Sequence, residues 1–152
     1  MDTERKPFNQ ETFDKNDEVA RKVVKRFLLT KGIEATDNPK KHGIDLVIPK
    51  EESDKNPRLA GVTYEVERRS IWAREWPYST VHIPERKTKF LQNKMVYAVV
   101  NKQLDSILFC PAEEIRDCPL REIPNKAVAQ GEYFYDVPFE KWTMREVSDC
   151  AI

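Results

Sequence analysis

Between positions 16 and 32 the apolar residues Val19, Ala20, Val23, Val24, Phe27 and Leu28 recur every three or four positions, behind Asn16-Asp17-Glu18 and ahead of Gly32. That spacing lays one apolar stripe along a helix that Gly32 ends. Positions 33–36 read as a short strand, and Asn38-Pro39-Lys40-Lys41 as a turn. The period then shortens. Positions 43–48 form an apolar strand interrupted by Asp45 and stopped by Pro49, and a polar, exposed connection over 50–58 leads to a second strand over 60–69. These two strands are expected to pair antiparallel.

Positions 70–82 carry Trp72, Trp76, Pro77 and Tyr78 among Arg74 and Glu75 with no clear period, which reads as a long loop or a bent strand end. Pro84 suits the first position of a helix over 85–92, and the nearly continuous apolar run 95–100 suits a buried strand. Further along, the pattern predicts a strand at 106–110, a short helix at 113–116, a polar connection through Pro124, a strand at 133–137 and a closing helix over 139–147. The fold class is therefore α/β, a central mixed β-sheet flanked by helices.

At 152 residues the chain fits one domain with one site, read as a polar N-terminal arm (1–15), a core (16–101) and a C-terminal extension (102–152). Lysine and arginine (26) balance aspartate and glutamate (26), so any nucleic-acid contact must come from a local basic surface. Cys110, Cys118 and Cys150 are odd in number and lack Cys-x-x-Cys spacing, which argues for reduced thiols over a disulfide framework or a zinc site. His42 and His82 lack partners at metal-ligand spacing. No apolar run reaches membrane-spanning length, and the N-terminal residues lack the apolar stretch of a secretory leader, so a cytoplasmic location is expected.

The chemistry concentrates where the period is two. Glu65 and Glu67 share one face of their strand while Tyr64 and Val66 take the other. If the Asp45 strand pairs alongside, three hard oxygen donors converge, as Mg²⁺ or Mn²⁺ requires. The plainer alternatives are a buried, ion-paired Asp45 and a solvated strand face for the glutamates. On the helix after Pro84, the stripe Ile83, Lys87, Phe90 and Leu91 faces the sheet, so Lys87 can run its stem along apolar neighbours and present its ammonium to Glu65 and Glu67. Alternatively it reaches solvent at the helix edge. Arg68, Arg69, Arg74, Arg86 and Lys89 gather cations nearby, and Trp72, Trp76 and Tyr78 offer stacking surfaces for bases or, equally, for a protein interface. Glu18, in the first helical turn, complements the helix dipole.

The order of helix, strands, acidic strand pair, helix and buried strand over roughly 16–101 resembles the αβββαβ core of the PD-(D/E)XK nuclease superfamily, the restriction endonuclease-like fold. The resemblance implies a Mg²⁺- or Mn²⁺-dependent DNA endonuclease, with Asp45 and Glu65 on the metal, Glu67 completing the shell or acting as base, and Lys87 positioning water. Glu18 would join the metal site, because a first-helix acid does so in part of that superfamily. The chain departs from the pattern at Ile44, in place of the motif proline, and at Glu67, in place of the motif lysine. Lys87 is then the relocated lysine. Cutting both strands of a duplex needs two sites, which a homodimer would supply. Two other readings stand beside this one: a non-catalytic nucleic-acid-binding or regulatory module on the same fold, and a protein-interaction domain that uses the aromatic loop.

Overall fold

The apolar stripe forms helix α1 (Gln10–Thr30), which begins at Gln10 rather than Asn16 and buries Ala20, Val24, Phe27 and Leu28. Gly32 closes it in the left-handed region (φ 77°), where a side chain would be strained. In the computed structural model, which describes residues 10–40, 43–92, 94–125 and 128–147, the chain continues through β1 (Thr36–Asp37) and β2 (Leu46–Val47) to a short exposed helix α2 (Lys50–Lys55). Strands β3 (Val62–Arg69) and β4 (Thr80–Pro84) follow, then a 3₁₀ turn over Glu85–Phe90 and β5 (Lys94–Asn101). The remaining elements are β6 (Ser106–Pro111), α3 (Ala112–Arg116), β7 (Leu120–Asn125), β8 (Val128–Pro138) and β9 (Thr143–Glu146).

Two sheets result. The larger is mixed, with strand order β1-β2-β3-β5-β6-β9, and the smaller is antiparallel, with order β4-β8-β7. β1, β2 and β3 form an antiparallel meander, as expected for the two acidic strands, and β3 then pairs parallel with β5 across a connection that contains β4. Alternation along the central strands divides the core. Tyr64 and Val66 of β3 and Ala98 and Val100 of β5 pack under α1. Met95, Tyr97 and Val99 meet Val81, Ile83, Tyr135 and Val137 of the smaller sheet, together with Ile115 of α3. Glu65, Glu67 and Arg69 are on this second side of β3, next to the smaller sheet.

Several expectations change. The aromatic segment, read as a long loop or a bent strand end, runs into strand β4, which continues to Pro84 and pairs along its length with β8. The turn after Pro84 is 3₁₀, with Pro84 as the last strand residue before it. The connection through Pro124 is edge strand β7, where proline is tolerated because one side has no partner, and the pairing is irregular between Ile123 and Asn125. The expected closing helix over 139–147 is a 3₁₀ turn, Phe139–Lys141, followed by β9 antiparallel to β6. Residues 143–146 are all exposed between buried Trp142 and Val147, so no apolar stripe favours a helix there, and pairing with β6 satisfies the backbone instead. Part of the N-terminal arm, His42 and Cys150 lie outside the described residues. Cys110 and Cys118 are free and buried, and burial pushes the Cys110 thiol up to about 12. No helix among the described residues is long and apolar enough to cross a membrane.

Candidate functional site

The β2–β3 register sets Leu46 opposite Tyr64 on the α1 side of the sheet. One residue earlier, Asp45 therefore falls beside Glu65 on the other face, and its Oδ2 accepts the Val66 backbone N–H at 2.8 Å. Glu65 is only 2% exposed. Its Oε2 is ion-paired with the Lys87 ammonium, while its Oε1 is buried with no hydrogen-bond partner. A carboxylate stripped of water needs compensation on both oxygens, and the fold compensates one.

The excess negative charge shows in the neighbours. Burial, reinforced by the Glu65 carboxylate, pushes Asp45 up to about 7, against the opposing pull of the Val66 N–H and Lys87. The two side chains lie within hydrogen-bond reach of each other but both are acceptors when ionised, so either a proton on Asp45, shared with Glu65, or a cation between the two would relieve the repulsion. The third acid is Asp17 of α1: burial, then the Asp45 charge, pushes it up to about 6, while Arg21 at 3.3 Å and Lys87 oppose the shift. Among the described residues no group of three or more His, Cys, Asp or Glu side chains is placed to hold a metal ion. The carboxylates that stand together are the Asp45–Glu65 pair.

Glu67 is engaged elsewhere. Its Oε1 accepts from Arg69 Nη2 at 2.5 Å and Nε at 3.1 Å, and from the Tyr97 hydroxyl at 3.2 Å. Arg69 in turn donates to the His82 backbone carbonyl and lies 5.8 Å from the Trp76 ring centre. Lys87 reaches Glu65 from the 3₁₀ turn, with its ammonium 5.6 Å from the Phe90 ring, so the contact inferred from a helical stripe is made by a different backbone.

Other residues singled out in the sequence are placed differently. Glu18 points to solvent and pairs with Lys22 at 3.4 Å, so the first-helix acid near the site is its neighbour Asp17. Trp72 is fully buried, with its indole N–H donating to the Arg74 carbonyl at 3.3 Å, which removes it from any stacking surface. Arg68 alternates away from Glu67 and donates to the Lys102 carbonyl at 2.5 Å. Arg74 and Arg86 are exposed, and Lys89 lies over Phe90 at 5.0 Å. Trp76 is half-buried, donating to the Thr80 carbonyl at 2.9 Å, and Tyr78 is exposed beside it.

Sequence reasoning missed a polar group on the smaller sheet. His82 Nε2 lies 3.1 Å from Asp136 Oδ1, and Arg121 Nη1 donates to Asp136 Oδ2 at 2.9 Å. The Arg121 hydrogen bond holds the Asp136 carboxyl below its usual range. Reading 70–82 as a long loop or a bent strand end, and the stretch through Pro124 as a polar connection, left the pairing that brings these residues together unassigned. No protein-family model matches the chain, and no curated protein matches it.

Proposed function

We propose that the protein is a Mg²⁺- or Mn²⁺-dependent nuclease acting on DNA phosphodiester bonds, with Asp45 and Glu65 as the metal carboxylates. The observation that carries this reading is the pairing of half-buried Asp45 with buried Glu65, with one Glu65 oxygen matched by Lys87 and no donor for the other. Mg²⁺ keeps several waters and is commonly held by one or two carboxylates with substrate phosphate, so this pair suffices in kind. A divalent cation bound there supplies Lewis acidity and lowers the pKa of coordinated water.

The chain's own residues do the rest. Asp45 and Glu65 present hard oxygens at the junction of β2 and β3. Lys87 holds positive charge where a phosphate oxygen would gain negative charge. Asp17 adds a third carboxyl within electrostatic reach of Asp45. Glu67 anchors Arg69, which fixes a guanidinium on the same strand face as Glu65. The antiparallel β1–β2–β3 meander behind α1, followed by a strand parallel to β3, supports the αβββαβ resemblance, with a strand and a 3₁₀ turn where that core has a helix.

A non-catalytic nucleic-acid-binding module is the second reading, favoured by the engagement of Glu67 with Arg69 and Tyr97. The two separate on incubation with single-stranded, duplex and branched DNA, with and without Mn²⁺, running Asp45→Ala in parallel. Metal-dependent cleavage lost in the variant supports the nuclease. Binding without cleavage supports the module.

A further inference from the structure

On the far side of Arg69 from the acidic pair, a cavity of about 560 Å³ opens between the end of β3, β4 and β7. This volume lies within the roughly 300–1,000 Å³ of small-molecule sites. Its wall combines three chemistries. Trp76 and Tyr78 meet edge to face at 6.0 Å, and Tyr78 is 58% exposed, so an aromatic surface is held open to solvent. Ile71, 61% exposed at the rim, and Ile123 add apolar surface. Arg69 and Arg121 bring two guanidiniums.

Neither arginine is loose. Glu67 holds Arg69, and Asp136 holds Arg121 through a single nitrogen, Nη1, of a side chain that is 67% exposed. Both carboxylates lie outside the cavity lining, behind the cations they orient. A guanidinium carries five donors in a fixed fork, so Arg121 keeps donors beyond the one given to Asp136. Ser79 and Thr80 add polar groups to the same wall. Aromatic faces beside an oriented guanidinium are what a base with its phosphate requires.

We propose that this cavity is a nucleotide subsite, taking one unpaired nucleotide with its base against Trp76 and Tyr78 and its phosphate on Arg121. Arg69 and Glu65 are four residues apart on one strand face, about 13 Å. The subsite therefore holds a nucleotide near the acidic pair rather than the one at it. This placement in a substrate strand rests on the nuclease reading, whereas the subsite itself does not. An unpaired base enters such a pocket without breaking a pair, so strand ends, gaps and single strands are the preferred substrates.

The test is titration with thymidine monophosphate in EDTA, followed by tryptophan fluorescence and by amide chemical shifts. Saturable binding is expected, weakened about tenfold in Tyr78→Ala and in Arg121→Gln, both surface substitutions. Thymidine, lacking the phosphate, should bind wild type and Arg121→Gln alike. A short oligothymidylate distinguishes the sources: tighter binding that falls with Tyr78→Ala identifies a nucleotide in a strand, and binding of the monophosphate alone identifies a free nucleotide. No saturation by either probe, or equal binding by all variants, overturns the subsite. Because this readout needs no metal, an absence of cleavage with binding retained removes the nuclease and leaves the subsite. Cleavage with no nucleotide binding does the reverse.

Discussion

Lys87 and Glu65 form an ion pair with side chains 18% and 3% exposed, where losing one partner strands the other charge away from water. Lys87→Met is expected to cost about 3 kcal/mol at pH 8, measured by urea unfolding, and Glu65→Gln with Lys87→Met should recover most of that loss. Asp45 works in the opposite sense. Its pKa is raised on folding from the ordinary 3.8 to about 7, so the native state binds the proton more tightly than the unfolded chain does. Stability therefore falls as pH rises from about 4 to 7, and the full penalty is present above that window. Asn at this position keeps an acceptor for the Val66 N–H and removes the charge. In EDTA, Asp45→Asn should stabilise the protein by about 1–2 kcal/mol at pH 8 and leave it nearly unchanged at pH 4, read from unfolding midpoints across the range.

Among the elements, the turn between β5 and β6 is tied to the aromatic segment by one side chain. Asn101 is fully buried, donates through Nδ2 to the Ala73 carbonyl at 2.8 Å and to Asp105 Oδ1 at 2.6 Å, and accepts the Asp105 and Ser106 backbone N–H groups through Oδ1. Lys102 N–H adds a bond to the Trp72 carbonyl at 2.8 Å. Removing the amide leaves several buried groups unpaired, so Asn101→Ala is expected to cost about 2–4 kcal/mol. Amide hydrogen exchange should then accelerate over 72–79 more than in β5 itself. Equal protection in that segment would show that Trp72 packing alone holds it.

For the whole molecule, a ligand that binds the native Asp45–Glu65 pair must raise the unfolding temperature by mass action. Millimolar Mn²⁺ is expected to raise the midpoint by about 3–6 °C in the wild type and by less than 1 °C in Asp45→Asn, measured by calorimetry. An equal rise in both would place the cation elsewhere. With a net formal charge of zero, any nucleic-acid affinity must depend on a few oriented cations rather than on a general field. The homodimer remains a proposal that light scattering, with and without a duplex oligonucleotide, would decide.

Period-two alternation in the sequence already determined that Glu65 and Glu67 share a face with Arg69 and that Tyr64 and Val66 turn to the core, because the strand backbone imposes this locally. The α1 stripe, the buried strand β5 and the antiparallel acidic strands were legible for the same reason. What the residues do with that geometry was decided at longer range. Asp17 and Glu18 are adjacent and differ by about 100° around the helix, so only the docking of α1 selects which one meets Asp45. Trp72 and Tyr78 belong to one aromatic segment, yet the packing of the smaller sheet buries the first and exposes the second. That sheet, with its His82–Asp136–Arg121 group, arises from pairing between distant segments of weak local pattern. Strand faces follow from local covalent geometry; the Lys87–Glu65 contact, the orphaned Glu65 oxygen and the cavity beyond Arg69 exist only once distant elements exclude water together.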